Sequence, residues 1–294
     1  MTSAVQRPHP VPAFAEAAGG DTEWGAERGP ERRRYNARML SPTFKFLRMA
    51  THILAGSLTV LLLFPHLDRP ERARRVTRWG AQLLAILKVR LKVSGRPPTV
   101  RAGGALLAAN HVSWLDIYLL HSLLPARFIS KAEVRGWPLF GWLAEAVGSV
   151  FLVREKKSDA MRVNQLMAEH LRQGDCLALF PEGTTSDGSG LQPFFSSLFQ
   201  PAVDAGAQVW PVYIRYLRQD GSRCAEAAYC DAMSLGASLR KVLRLKVLQA
   251  EVHFLPPIDS RGLTRRELAR ASEAAIRACV PAPNGETQRG AAAG

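Results

Sequence analysis

His111 and Asp116 stand five residues apart in the string Asn110-His-Val-Ser-Trp-Leu-Asp116, directly after the apolar run 105–109. When one imidazole nitrogen donates to a carboxylate, the ring is held in one tautomer and the imidazolium formed later is stabilised. The opposite nitrogen can then take a proton from a hydroxyl. Residues five apart on a regular helix lie about 140° apart around its axis. The pair therefore meets best with His111 just ahead of a helix and Asp116 one turn inside it. Asn110 or Ser113 can cap that turn. A lone histidine is more often structural, and His9, His52, His66, His121, His170 and His253 are read as structural or exposed.

Two further strings carry polar groups at the ends of strand-like runs. Phe180-Pro-Glu-Gly-Thr-Thr-Ser186 leaves the run 176–180 for a loop rich in glycine and hydroxyls. Such a loop exposes backbone N–H groups, and its side chains can orient a polar substrate. Gly148-Ser-Val-Phe-Leu-Val-Arg154 ends on an arginine, a side chain that can grip a phosphate with two parallel hydrogen bonds.

Strand-like runs fall at 91–93, 105–109, 127–130, 150–153, 176–180, 209–214 and 251–255. Helix-like segments at 114–124, 138–146, 158–173, 198–205, 234–243 and 264–279 lie between most of them. This alternation predicts an α/β fold, a largely parallel mixed sheet flanked by helices. In such sheets functional groups collect where strands run out into loops, which is where all three strings fall.

Ahead of this region, residues 49–67 contain no Asp, Glu, Lys or Arg. A bilayer-spanning helix needs roughly 20 apolar residues, so the stretch is of borderline length. Residues 70–88 follow with Val76, Trp79, Leu83 and Leu87 on one helical face, and residues 69–101 hold ten Arg or Lys against one Glu. An apolar helix followed by a basic amphipathic one has the character of an interfacial anchor. The chain's net charge of +14 favours anionic partners. With no zinc-finger spacing, RNA-recognition aromatic motif or convincing helix-turn-helix, anionic lipid is expected and nucleic acid is not. The four cysteines show neither a Cys-x-x-Cys pair nor zinc-ligand spacing, and reduced thiols in a cytosol-facing protein are expected. The organisation read from these features is a disordered tail over 1–40, membrane-associated helices over 41–88, the α/β domain over 89–280 and a second tail over 281–294.

In combination the strings resemble the glycerolipid and lysophospholipid acyltransferases. That family's blocks are Asn-His-x4-Asp, Gly-x-x-Phe-x-x-Arg, Phe-Pro-Glu-Gly-Thr-x-Ser and a later apolar run with a central proline. They match Asn110–Asp116, Gly148–Arg154, Phe180–Ser186 and the run 209–214, in the family's order and over about residues 90–220. The resemblance implies His111 as general base and Asp116 as its orienting partner. Arg154, Glu182, Gly183 and Thr184 would bind the acceptor, with Lys131 adding positive charge. The donor would be an acyl thioester of coenzyme A or acyl carrier protein, the acceptor a lysolipid, and no metal or bound cofactor is required. Amides at the helix start beside His111 would stabilise the oxyanion. The enzyme would sit on the membrane with its catalytic domain facing the cytoplasm.

Many members acting on glycerol phosphates carry Arg where this chain has Thr185, and Lys where it has Phe195. Relatives that acylate lyso-ornithine lipid commonly show Phe-Pro-Glu-Gly-Thr-Ser/Thr-Ser-Asp-Gly, close to residues 180–188, and often Ser-Trp-Leu-Asp, as at 113–116. The default acceptor is 1-acylglycerol-3-phosphate, and lyso-ornithine lipid is the alternative. Readings of another class are a serine esterase using Ser113 or Ser186, weakened by the absence of Gly-x-Ser-x-Gly, and a non-catalytic anionic-lipid-binding protein.

Overall fold

The computed structural model describes residues 41–99, 104–152, 157–230 and 233–281. Residues 1–40 and 282–294, expected as tails, lie outside them.

Two helices come first, α1 (Pro42–Leu62) and α2 (Arg69–Ile86). Helix α1 starts at Pro42 because the Ser41 hydroxyl accepts from the Phe44 amide and proline suits the first turn. It is long and apolar enough to cross a membrane, yet only Lys45 and Met49 on it are buried. Leu47, Leu54, Leu58, Leu61 and Leu62 face outward. Helix α2 is capped by Asp68, which accepts from the Glu71 amide at 2.7 Å. Its face of Gly80, Leu83, Leu84 and Ile86 is buried, while Arg74 and Arg78 are exposed. The two helices interlock at His52 and Trp79. Each ring donates to the other residue's carbonyl, at 3.0 and 3.2 Å, and the rings stack at 4.8 Å.

The remaining elements alternate as expected: β1 (Val89–Ser94), β2 (Ala105–Ala109), α3 (Leu115–Leu123), β3 (Arg127–Lys131), α4 (Phe140–Ala146) and β4 (Val150–Leu152). Then come α5 (Lys157–Arg172), β5 (Cys176–Leu179), α6 (Gln200–Ala205), β6 (Gln208–Leu217), α7 (Leu235–Arg244), β7 (Leu248–Phe254), β8 (Ile258–Asp259) and α8 (Arg265–Arg277). The sheet order is β1-β7-β6-β2-β5-β3-β4, with β8 on β6. Strands β6, β2, β5, β3 and β4 pair in parallel. Strand β6 pairs antiparallel with β7 and β8, and β1 runs parallel to β7. The sheet is therefore mixed and largely parallel. The pattern did not reveal β8, whose two residues are too few to show a period.

Strand β2 is buried along its whole length, as a central parallel strand covered on both faces must be. Ala105, Leu107 and Ala109 point to one core, formed with α2, α3 and α7. Leu106 and Ala108 point to the other, formed with α5, α6 and α8. Helix α1 joins the first core through Met49, and the Lys45 ammonium donates to the Leu245 carbonyl at the end of α7, at 2.5 Å. Unpaired carbonyls at a helix C-terminus favour a cation there.

Where β2 ends, Asn110 fastens it to β6. Its Nδ2 donates to the Ile214 carbonyl at 2.9 Å, and its Oδ1 accepts from the Ile214 amide at 2.6 Å. This buried amide acts as one more rung of the ladder and sets the position from which the chain leaves the sheet. Asn110→Leu strands both Ile214 groups without partners. We expect it to lower unfolding free energy by about 3 kcal/mol, from the cost of leaving buried polar groups unpaired, read as a fall in the urea midpoint at constant m-value.

Candidate active site

The turn after Asn110 is organised around the Asp116 carboxylate, which is fully buried. Its Oδ2 accepts from His111 Nδ1 at 2.8 Å, from the Val112 amide at 2.8 Å and from the Ser113 amide at 2.9 Å. Its Oδ1 accepts from the Tyr216 hydroxyl at 2.6 Å. The carboxylate occupies the first turn of α3, where unpaired amides favour negative charge. Burial, and then the Asp116 charge, hold the Tyr216 phenol well above its usual range, so it stays a donor. With Nδ1 donating to Asp116, Nε2 is the basic nitrogen, and it makes no hydrogen bond to a described residue.

His111 is also held from beneath and behind. Its ring stacks on Phe180 at 3.8 Å with 6° between the planes. Its backbone N–H donates to Glu182 Oε1 at 2.7 Å, while Oε2 of the same buried carboxylate accepts from the Gln192 amide at 2.8 Å. Burial raises the Glu182 carboxyl above its usual range, and the two amide donors work against that shift. Gly183, in the left-handed region at φ +72°, makes the tight turn that donates to the Phe180 carbonyl. Thr184 is exposed on that turn, and the Thr185 hydroxyl donates to the Tyr229 carbonyl. The Ser186 amide donates to the His111 carbonyl at 2.8 Å.

The structure thus brings His111, Asp116 and Glu182 together, with Glu182 gripping backbone on both of its oxygens and Gly183 and Thr184 on the turn that follows it. Arg154 and the side chain of Lys131 lie outside the described residues. The oxyanion expectation changes: the amides of His111, Val112 and Ser113 are all committed to carboxylates. The amides of Thr184 and Thr185 donate to no described residue and lie between Glu182 and Ser186, both of which bond the His111 backbone. The serines read as possible nucleophiles are engaged elsewhere. Ser113 is buried and its hydroxyl accepts from the Leu115 amide, while the Ser186 hydroxyl donates to the His111 carbonyl.

An apolar cavity of about 410 Å³ lies on the α1–α2 side of the sheet, with Phe128 on its wall. It is walled by α1, α2, α3, α4 and α7, with Ile53, Trp79, Trp114, Phe128 and Leu239 among its lining residues. Stacked rings connect it to His111: Phe180 lies on the imidazole, and Phe128 lies 5.9 Å from Phe180. Its wall also includes His121, a buried imidazole whose Nδ1 has no hydrogen-bond partner. Burial pulls that imidazole down to about 4.

Residues 90–215 match the family model described as Acyltransferase. A lyso-ornithine lipid O-acyltransferase of Pseudomonas aeruginosa is 42% identical over 225 residues, which span 76% of this chain and 85% of that protein. A 1-acyl-sn-glycerol-3-phosphate acyltransferase of Neisseria meningitidis is 39% identical over 213 residues, spanning 72% and 83%. This chain belongs to the glycerolipid and lysophospholipid acyltransferase family. It is an acyltransferase acting on lysolipids. Its fold is shared with the 1-acyl-sn-glycerophosphate acyltransferase PlsC of Thermotoga maritima, at a TM-score of 0.55 and 21% identity, covering 80% of this chain and 96% of that one.

Within this acyltransferase, Tyr216, Phe180 and the cavity were not anticipated as parts of the site. Tyr216 shares its strand face with Val212 and Ile214, a period-two signal open to reading. The platform under His111 and the cavity join segments far apart in sequence, and no local pattern marks them.

Tyr216 positions Asp116 rather than touching substrate. Tyr216→Phe removes a charge-assisted hydrogen bond of about 1.5–3 kcal/mol, so we expect kcat to fall roughly tenfold or more with KM little changed. Steady-state kinetics check this split, since general unfolding would instead reduce active-site titre. His121 makes stability sensitive to acid. Its folded pKa of about 4 lies below the unfolded value of 6.5, so the unfolded chain binds the extra proton first. Stability from this group is intact above pH 6.5 and falls as pH drops toward 4, by on the order of 3 kcal/mol. Denaturant melts of His121→Phe should show a flatter pH profile over that window.

Proposed function

We propose that this enzyme transfers a fatty acyl group directly from an acyl thioester to a lysolipid hydroxyl, with His111 as general base. The observation that carries the reading is one geometry: an imidazole tied to a buried, four-times-bonded carboxylate, its other nitrogen open, and linked through Phe180 and Phe128 to the wall of an apolar cavity. Nε2 takes the acceptor's hydroxyl proton as the oxygen attacks the thioester carbonyl. The tetrahedral intermediate collapses with loss of the thiolate, which receives that proton from the imidazolium. Asp116 stabilises the imidazolium between these steps, and the Thr184 and Thr185 amides are the candidate oxyanion donors. The cavity, within the size range of ligand pockets, takes an acyl chain. Coenzyme A or acyl carrier protein can present the thioester. His111→Ala should abolish acyl transfer while vesicle binding is kept, and unchanged transfer in that variant would falsify the assignment of the base.

The membrane is the working surface in this reading. Exposed leucines of α1 meet lipid, and the arginines of α2 meet anionic headgroups, each nearby charge adding on the order of 1 kcal/mol. Basic residues directly after the apolar helix favour a cytoplasmic side for the catalytic domain. The organisation into membrane helices over 41–88 and a catalytic domain over 89–280 follows from the same reading, as do acceptor-binding roles for Arg154 and Lys131.

For the acceptor, the surroundings of Thr185 and Phe195 lead us to favour lyso-ornithine lipid over 1-acylglycerol-3-phosphate, the default expected from the sequence. At the two positions where phosphate-handling relatives often carry cations, this chain has Thr185, bonded to the Tyr229 carbonyl, and Phe195, an exposed ring. The nearby Arg223 is paired with Asp187 at 2.7 Å. A second reading, 1-acylglycerol-3-phosphate, has its own support in the 39% identity to the Neisseria meningitidis enzyme of that name. Membranes containing the protein, offered both lysolipids with acyl coenzyme A or acyl carrier protein, should yield mainly diacyl ornithine lipid. A product pool dominated by phosphatidic acid reverses the order of the two.

A further inference from the structure

Helix α4 and the turn before it carry a cluster of part-exposed apolar side chains, of which Trp137 and Phe140 also line the cavity and Leu139 and Trp142 do not. Trp137, Leu139, Phe140 and Trp142 are 44%, 43%, 37% and 40% exposed. The backbone goes to some length to present them. Leu139 sits at φ +65° and ψ −51°, and the Phe140 amide donates to the Pro138 carbonyl at 2.7 Å. This is a γ-turn of the rare, strained kind, with a leucine where a side chain is disfavoured. On the opposite side Gly141 lies so close to the preceding turn that a Cβ would stand 2.1 Å from the Arg135 carbonyl oxygen. Helix α4 is therefore pressed against residues 134–135, while Trp142 stays exposed and Phe140 is shared between solvent and the cavity. Backbone strain that displays apolar groups to water gains nothing in the isolated molecule, and such strain is a pointer to function.

The occupant of this face follows from its neighbours. Helix α4 touches α1, whose exposed leucines continue the apolar surface. Trp137, Phe140, Leu143 and Val147 line the same cavity as Ile53, Val60 and Phe64 from the α1 side. Arg75 and Arg78 of α2 also reach that cavity. Tryptophans at the edge of an apolar surface, with arginines beside them, suit the boundary between lipid chains and headgroups. We propose that residues 132–146 form a second lipid-contacting element. Trp137, Leu139, Phe140 and Trp142 lie in the interfacial zone of the leaflet that α1 enters, and the cavity between α1 and α4 opens sideways to lipid. The inference holds for either lysolipid acceptor.

The test uses the full chain and vesicles of phosphatidylethanolamine and phosphatidylglycerol, with or without bromine on the acyl chains. Bromine quenches only tryptophans that reach the lipid. We expect strong quenching in the wild type and a clearly smaller quenched share in W137F/W142F, whose other four tryptophans are unchanged. Vesicle affinity of L139D/W142D should drop at least about tenfold, in line with the cost of charge at the lipid boundary. Equal quenching in wild type and W137F/W142F overturns the proposal. So does a lipid-free dimer in sedimentation that L139D/W142D dissociates, since the occupant would then be a second copy of the chain. Because the readout is lipid contact and not turnover, a failure here is distinct from a failure of the acyl-transfer reading.

Discussion

A carboxylate with no access to water must have its charge met by the protein, and Asp116 is met four times. Two of its donors are successive amides of its own turn, one is the imidazole and one is a phenol from a strand a hundred residues away. Losing any of them leaves charge under-solvated in a low-dielectric place, where unpaired charge is costly. The turn, the start of α3 and the far end of β6 are thereby held to one arrangement. The basic nitrogen of His111 inherits its direction from that arrangement.

The same spacing occurs a second time in the chain and shows what spacing alone does not decide. His170 Nδ1 lies 2.9 Å from Asp175 Oδ2, also five residues on. There the carboxylate is shared with the Arg127 guanidinium at 2.9 Å, and the pair precedes β5 rather than following a strand. Parallel strands gather their C-terminal ends at one edge, and that edge is where loops converge in such sheets. His111 leaves β2 at that edge beside the loop that leaves β5. His170 sits at the opposite edge, where its partner is tied into structure.

Much of this is legible in the amino-acid sequence. Alternating apolar runs and helical segments place the strands to within a few residues, because a central parallel strand such as β2 must be apolar on both faces. The His111–Asp116 pairing was readable from helix geometry, and Glu182 from its place at a strand end. The function of Glu182 was less readable. A carboxylate in a glycine-rich loop suggests contact with substrate, whereas here both oxygens hold amides of the protein. The amides beside His111 misled in the opposite sense, since an N-terminal helical turn looks open to an anion until its own aspartate fills it. Tyr216 and the cavity depend on pairings between remote segments, which a one-dimensional pattern does not contain. Helix α1 began earlier than its apolar stretch because Ser41 and Pro42 set its start by capping, independent of hydropathy.

The grip of Glu182 on the His111 amide has a consequence for how such an enzyme can change. The two loops are separated by 71 residues, yet they are mechanically a single part, joined by one carboxylate with a second amide, that of Gln192, on its other oxygen. A transplant of either loop from a relative would arrive without its counterpart and disturb the register of the base. Diversification of this scaffold should therefore proceed by exchanging the loops as a matched set. Single changes should accumulate instead at the outward rim, at exposed positions such as Ser189 and Gly190, where the chain carries no part of that joint.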